Sequence, residues 1–128
     1  MTEPVWLERE LVLAIHDRQL AEHGGSSGLR DEGLLESALA RPRNLFAYGE
    51  PSLGQLAAEY AFGIARNHPF VDGNKRTALV AAEFFLDLNE VNLLATDEDA
   101  VVTFLALAAG ELKVEELAAW IARNSRRR

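Results

Sequence analysis

Between Gly73 and about Leu88, the apolar residues Ala78, Leu79, Ala81, Ala82, Phe84, Phe85 and Leu88 recur around most of a helical circumference. A helix with one apolar stripe can lie on a surface, whereas one apolar on most sides has to be enclosed by other elements. This segment therefore demands a bundle with itself as the central helix. Glu83, Asp87 and Glu90 interrupt residues 77–94, which predicts a buried helix and not a membrane span. The composition, 48% hydrophobic and 26% charged, is that of a globular chain and excludes a disordered or fibrous one.

The surrounding helices can be read from spacing and caps. Leu7, Leu11, Ala14 and Ile15 fall at helical intervals in residues 7–22, and Gly24 with Gly25 supplies the stop. Asp31 caps a short helix whose face is Leu34, Leu35, Ala38 and Leu39 and which Pro42 ends. Ser52 and Gln55 form a capping-box pattern, followed by the stripe Leu53, Leu56, Ala57, Tyr60 and Ile64 up to the break at Asn67-His68-Pro69. Asn89 suits a left-handed end to the central helix. Thr96 caps a fifth helix bearing Val101, Phe104, Leu105 and Ala108, closed by Gly110. Val114, Leu117, Ala118 and Ile121 mark a sixth. Little marks a strand. Only "NLFAYGEPSL", residues 44–53, alternates apolar and aromatic residues, and it reads either as a short extended flap or as a surface loop covering the core with Phe46 and Tyr48. The expectation is an all-α fold: one domain over residues 1–128, a single compact bundle of about six helices around a central buried helix, with a short extended flap.

Several function classes drop out. The chain has no cysteine, which removes disulfides, thiolate zinc sites and cysteine nucleophiles. Residues 1–10, "MTEPVWLERE", carry acids and a proline where a signal peptide needs a basic region and an apolar run, so a cytoplasmic location without a membrane partner is expected. A net charge of −7 repels phosphate backbones and argues against nucleic acid as a direct partner. The terminal "RRR" reads as a solvated, frayed end.

The break before the central helix, "NHPFVDGNKR", carries more chemistry than a turn needs. Pro69 disfavours a helical backbone at His68 and predicts an extended residue there. Asp72 and Gly73 make a tight turn, and the amides of Gly73, Asn74, Lys75 and Arg76 are the unpaired donors of a first helical turn, where anions bind. Lys75 and Arg76 are disfavoured at that end by the helix dipole alone, so a bound anion is needed to offset them. Asp72 is suited to Mg²⁺, which takes one or two carboxylates and completes its shell with substrate phosphates. An imidazole such as that of His68 is suited to taking a proton from a hydroxyl. The same residues also make an ordinary turn, since Asp-Gly is a common turn pair and Lys and Arg are usually solvated. Residue types alone do not choose between these readings.

"HPFVDGNKR" at residues 68–76 resembles the signature of the Fic/Doc superfamily, and Lys75 makes it similar to the Doc (death-on-curing) branch. "HDRQLAEHGG", "GLRDEGLLESALARP", "YAFGIARNHPF" and "TALVAAEFFLDLN" extend the resemblance, in order, over nearly the whole chain. It implies an α-helical fold. It also implies that His68 is the base that deprotonates a target hydroxyl, that Phe70 packs under the loop, that Asp72 helps to bind Mg²⁺, and that Gly73, Asn74, Lys75 and Arg76 hold the phosphates of ATP. Adenylylating Fic proteins have a glycine where this chain has Lys75, and a further arginine where it has Leu79. The Doc branch shares both departures and transfers the γ-phosphate, so a kinase is expected; adenylyl transfer, or a non-catalytic binding module on the same fold, is the alternative. The resemblance further implies a translation factor as target, a threonine of elongation factor Tu, and an antitoxin whose carboxy-terminal segment folds into a groove. No internal Ser/Thr-x-x-x-Glu-Gly or Glu-Asn inhibitory motif is present, which favours an inhibitor on another chain. The flap, with Phe46 and Tyr48, would dock the target by strand addition.

Other candidates are weaker. His16-Asp17 is the dyad of metal-dependent phosphohydrolases, but no histidine precedes it. His16 and His23 are therefore expected on a polar helix face, and the acids of "TDEDA", residues 96–100, are explained by helix capping.

Overall fold

A computed structural model describes residues 2–128. The elements are α1 (Arg9–His23), α2 (Glu32–Tyr48), α3 (Leu53–Asn67), α4 (Asn74–Leu88), β1 (Val91–Leu93), α5 (Asp97–Ala108), α6 (Val114–Arg123) and β2 (Ser125–Arg127). The fold is all-α, six helices with a two-stranded antiparallel sheet in which Val91 pairs with Arg127 and Leu93 with Ser125. Among the described residues no helix is long and apolar enough to cross a membrane.

The central buried helix is α3, not α4. It packs against α2, α4, α5 and α6, and Leu56, Ala57, Ala58, Tyr60, Ala61, Gly63, Ile64 and Ala65 are all buried. Small side chains on several faces let neighbours approach from every side. Gly63 marks the closest crossing, because a Cβ there would lie 2.9 Å from Ala38 Cα on α2. α4 buries one broad stripe, Asn74, Thr77, Ala78, Ala81, Ala82, Phe85 and Leu86, and leaves Phe84 and Leu88 more than a third exposed.

The caps fall where the sequence puts them. Ser52 Oγ accepts from Gln55 N–H at 3.1 Å, Gln55 Oε1 accepts from Ser52 N–H at 2.7 Å, Asp31 receives Leu34 N–H and Thr96 receives Asp99 N–H. Gly24 ends α1 at φ 78°. Other readings change. α1 turns Val12, Ile15, His16 and Gln19 inward, so Leu7 lies ahead of the helix and Ala14 faces out. Pro42 does not end α2, which continues to Tyr48. A proline inside a helix forfeits one hydrogen bond, and here Leu45 and Phe46, packed on the core beyond it, hold the last turns. The expected flap is thus helical through Tyr48, and only residues 49–52 leave the helix before α3. Asn89 is not left-handed; Glu90 is, at φ 65°. The Asn89 carboxamide instead pairs with both backbone groups of Val5 and holds the amino-terminal strap down.

The terminal arginines are not frayed either. Arg128 reaches Asp87 Oδ1 at 2.6 Å and Asn92 Oδ1 at 2.8 Å, and its backbone N–H bonds Glu90 O. At the other end of the chain, Leu7 N–H donates to the buried Tyr60 hydroxyl at 2.9 Å. Burial raises that phenol to about 12.

Gly63→Ala tests the α2–α3 crossing. Helix propensity alone favours alanine by about 1 kcal/mol, whereas overpacking costs about 1–3 kcal/mol. With backbone as the obstructing atom, thermal unfolding is expected at a lower midpoint for Gly63→Ala and lower still for Gly63→Val. An alanine variant melting above the wild type would show that the crossing yields freely.

Candidate active site

The segment between α3 and α4 is organised by one buried side chain. Asn74, 4% exposed at the start of α4, accepts Phe70 N–H at 3.0 Å through Oδ1 and donates to Phe70 O at 2.9 Å through Nδ2. The second hydrogen of Nδ2 points at His68 Nδ1, 3.2 Å away. Nδ1 is therefore an acceptor in this arrangement, and the ring hydrogen of a neutral His68 lies on Nε2. Asn74 thus offers an anion only its backbone N–H, because its carboxamide is committed to the loop.

His68 is not extended, as Pro69 led us to expect, but left-handed at φ 52° and ψ 55°, where it forms the C-cap of α3. Such a backbone costs a non-glycine residue about 1–2 kcal/mol. Arg30 holds it there: its guanidinium donates to His68 O at 2.7 Å and to Asn67 O at 2.9 Å, a cation on the terminal carbonyls of a helix. The backbone around Arg30 joins in. Arg30 and Asp31 N–H both donate to Pro69 O, Val71 N–H donates to Gly28 O, and Leu29 bridges Phe70 in antiparallel fashion. His68 itself stays exposed at the rim, while Phe70 is buried beneath the loop.

Asp72 and Gly73 follow. Asp72 Oδ1 accepts Gly73 N–H at 2.8 Å and Oδ2 accepts Ser26 N–H at 3.2 Å. These two backbone donors, Ser26 first and Gly73 second, hold the carboxyl below the usual aspartate range, with Arg76 and His16 adding to the effect. Gly73, at φ 79° and ψ 15°, lets the chain turn into α4. The first intrahelical bond is Thr77 N–H to Gly73 O, at 3.0 Å. Among the described residues the N–H groups of Asn74, Lys75 and Arg76 meet no acceptor. Among the described residues neither Lys75 nor Arg76 enters an ion pair. Both line a groove of about 610 Å³ that continues past Leu79 and Glu83 to Val101 and Phe104 of α5. The groove walls desolvate Glu83 and lift its carboxyl, with Asp97 adding to the shift.

The structure thus gathers His68, Phe70, Asp72, Gly73, Asn74, Lys75 and Arg76 at one helix entrance, with Asn74 bonded to Phe70 and His68 and Asp72 bonded to Gly73. It does not bring Phe46 or Tyr48 to it. Phe46 packs edge-on against Trp6 at 5.5 Å, and Tyr48 projects into solvent at 91% exposure. Two residues missed by sequence reasoning stand beside the loop. Arg30 gave no signal, because its partners are backbone carbonyls. His16 is not on a polar face but 2% exposed, and its spacing with Val12, Ile15 and Gln19 was the signal available.

The donor set fits a magnesium nucleotide. Among the described residues no group of three His, Asp or Glu side chains can hold a metal, and the loop itself carries one carboxylate, the exposed Asp72. Its oxygens each take one N–H, and a carboxylate has about four acceptor sites. A cation bound by one protein oxygen and several phosphate or water oxygens is the pattern of Mg²⁺ with a nucleotide.

A family model described as the Fic/DOC family matches residues 6–86, from the strap ahead of α1 almost to the end of α4. The protein kinase doc of Escherichia phage P1 is 37% identical over 110 residues, 85% of this chain and 86% of that protein. The Toxin Doc of Mycolicibacterium smegmatis is 46% identical over 98 residues, 74% of this chain and 71% of that one. With the signature loop inside the matched span and Doc proteins among its relatives, the chain belongs to the Fic/DOC family, on its Doc branch.

Proposed function

We propose that this protein is a Doc-like toxin that transfers the γ-phosphate of ATP to a side-chain hydroxyl of another protein. The observation that carries the reading is the shared Asn74 anchor: one carboxamide sets both an exposed imidazole and a helix entrance where, among the described residues, three N–H groups and two cations have no partner. The phage P1 relative is named a protein kinase. The resemblance further points to a threonine of elongation factor Tu as the acceptor, to arrest of translation as the outcome, and to an antitoxin on a separate chain that keeps the toxin silent.

In this mechanism the backbone N–H groups of Asn74, Lys75 and Arg76, with the two cationic side chains, receive the phosphates and spread their charge. Leu79 lines the groove where an adenylylating relative would present an arginine, which leaves the phosphates held chiefly at the helix entrance. Asp72 would hold Mg²⁺, whose chemistry here is neutralisation of phosphate charge. The acceptor hydroxyl oxygen bonds to the γ-phosphorus, the bridging oxygen leaves with ADP, and the hydroxyl proton passes to His68. For that last step an imidazole nitrogen must present its lone pair to the hydroxyl. In the neutral ring that lone pair is on Nδ1, which is held by no more than the long 3.2 Å contact with Asn74.

Three measurements test the reading. Incubation with elongation factor Tu and ATP labelled at the α or the γ position is expected to leave label on the acceptor only from the γ position; α label alone would make the protein an adenylyl transferase. His68→Ala is expected to slow transfer by at least ~10²-fold and to relieve growth arrest, while equal toxicity would leave only a binding role. Third, because Asp72 is held below its ordinary value, its loop contacts persist on acidification through the usual aspartate range, near ~3.9, and are lost as pH falls through the lowered value. The Ser26 and Gly73 amide resonances should therefore titrate below that range. Asp72→Asn should abolish the titration and weaken magnesium-dependent ATP binding.

A further inference from the structure

We propose that His16, on α1 and outside the signature segment, is the positioning residue that fixes where α4 begins and so keeps the Arg76 N–H open to a phosphate. The inference rests on the reading of that helix entrance as a phosphate cradle. His16 Nε2 lies 2.8 Å from the carbonyl oxygen of Asp72. A carbonyl only accepts, so Nε2 carries a hydrogen and donates it. The ring is parallel to that of Phe70, with centroids 3.8 Å apart and 8° between planes. It also lies flush against the turn, since a Cβ on Gly73 would be 3.7 Å from its Nε2 and Cδ2.

The consequence follows from helix geometry. In an α-helix the N–H of residue 76 bonds the carbonyl of residue 72. Here α4 starts one step later, with Thr77 N–H on Gly73 O, because Gly73 is left-handed and the Asp72 carbonyl is turned away to His16. His16 therefore holds that carbonyl outside the helix, where it does not meet the Arg76 N–H. The same peptide unit carries the Gly73 N–H that holds Asp72 Oδ1. Rotating its carbonyl into the helix pulls that N–H off the carboxylate, so the open Arg76 N–H and one of the two bonds that hold Asp72 both depend on one imidazole donor 56 residues upstream.

Loss of one hydrogen bond is worth about a factor of ten in an equilibrium. The test compares His16→Gln, whose amide nitrogen reaches roughly as far as Nε2, with His16→Leu, which fills the space without a donor. Amide hydrogen exchange at Arg76 in the free protein is expected to be fast in the wild type and the glutamine variant and slowed about tenfold in the leucine variant. Titration with magnesium and ATP is expected to weaken about tenfold for leucine and to be largely restored by glutamine. Unchanged Arg76 exchange in a folded leucine variant, or leucine matching glutamine in both assays, would reduce His16 to core filling and overturn the proposal. If the leucine variant does not fold, the wild type decides: long-range ¹H–¹⁵N spectra must show His16 protonated at Nε2, and a hydrogen on Nδ1 alone overturns it. A wild type with an open Arg76 amide that binds no nucleotide would instead sink the phosphate reading and leave the helix-start role standing.

Discussion

The carboxamide of Asn74 is the interaction on which the site depends. It answers both backbone groups of Phe70, four residues earlier, and still has a hydrogen for His68. Only an amide can do this, since a carboxylate accepts but does not donate and an aliphatic side chain does neither. Because the group is buried, the alternatives leave polar atoms unpaired in a place water does not reach, which is costly. The loop between α3 and α4 is thereby folded back onto the helix that follows it, and every functional group in it takes its place relative to that anchor.

The anchor works because the helices around it do not move apart. α3 buries Ala57, Ala58, Ala61, Gly63 and Ala65, with Gly63 tight against Ala38 of α2, so neighbours sit close to its backbone and its carboxyl end is fixed. The left-handed residue at that end stores strain, and the Arg30 guanidinium offsets it with two charge-assisted bonds. Strained backbone held by surrounding structure in this way is a recurrent feature of functional sites.

Much of this was legible in the sequence, and the part that was not has a common cause. Ser52 with Gln55, Asp31, Thr96 and Gly24 act through bonds within three or four residues, so their role is visible locally. Pro42 reads locally as a stop because its cost is real, but the packing of Leu45 and Phe46 on the core outweighs it. The sequence does not distinguish α4 from the central helix, because a run of apolar residues does not say how many sides are covered: Phe84 and Leu88 are apolar and face out. The strands β1 and β2 are three residues each and pair across 30-odd positions, too short for alternation to register. In the site, the placement of residues 68–76 was readable, whereas the backbone of His68 and the work of His16 and Arg30 were not. Each of those is decided by a partner dozens of residues away.

That dependence on distant partners bears on transplantation. A designer lifting residues 68–76 onto the turn of another helical protein would carry across the amide's bonds to Phe70 and His68, since they lie within the cassette. Left behind would be the guanidinium that holds the histidine's backbone, the serine amide on the aspartate and the imidazole on the turn. The smallest portable unit is therefore not nine consecutive residues but two separated stretches, the second half of α1 with the loop after it and the signature segment, kept in register by the helices that pack between them.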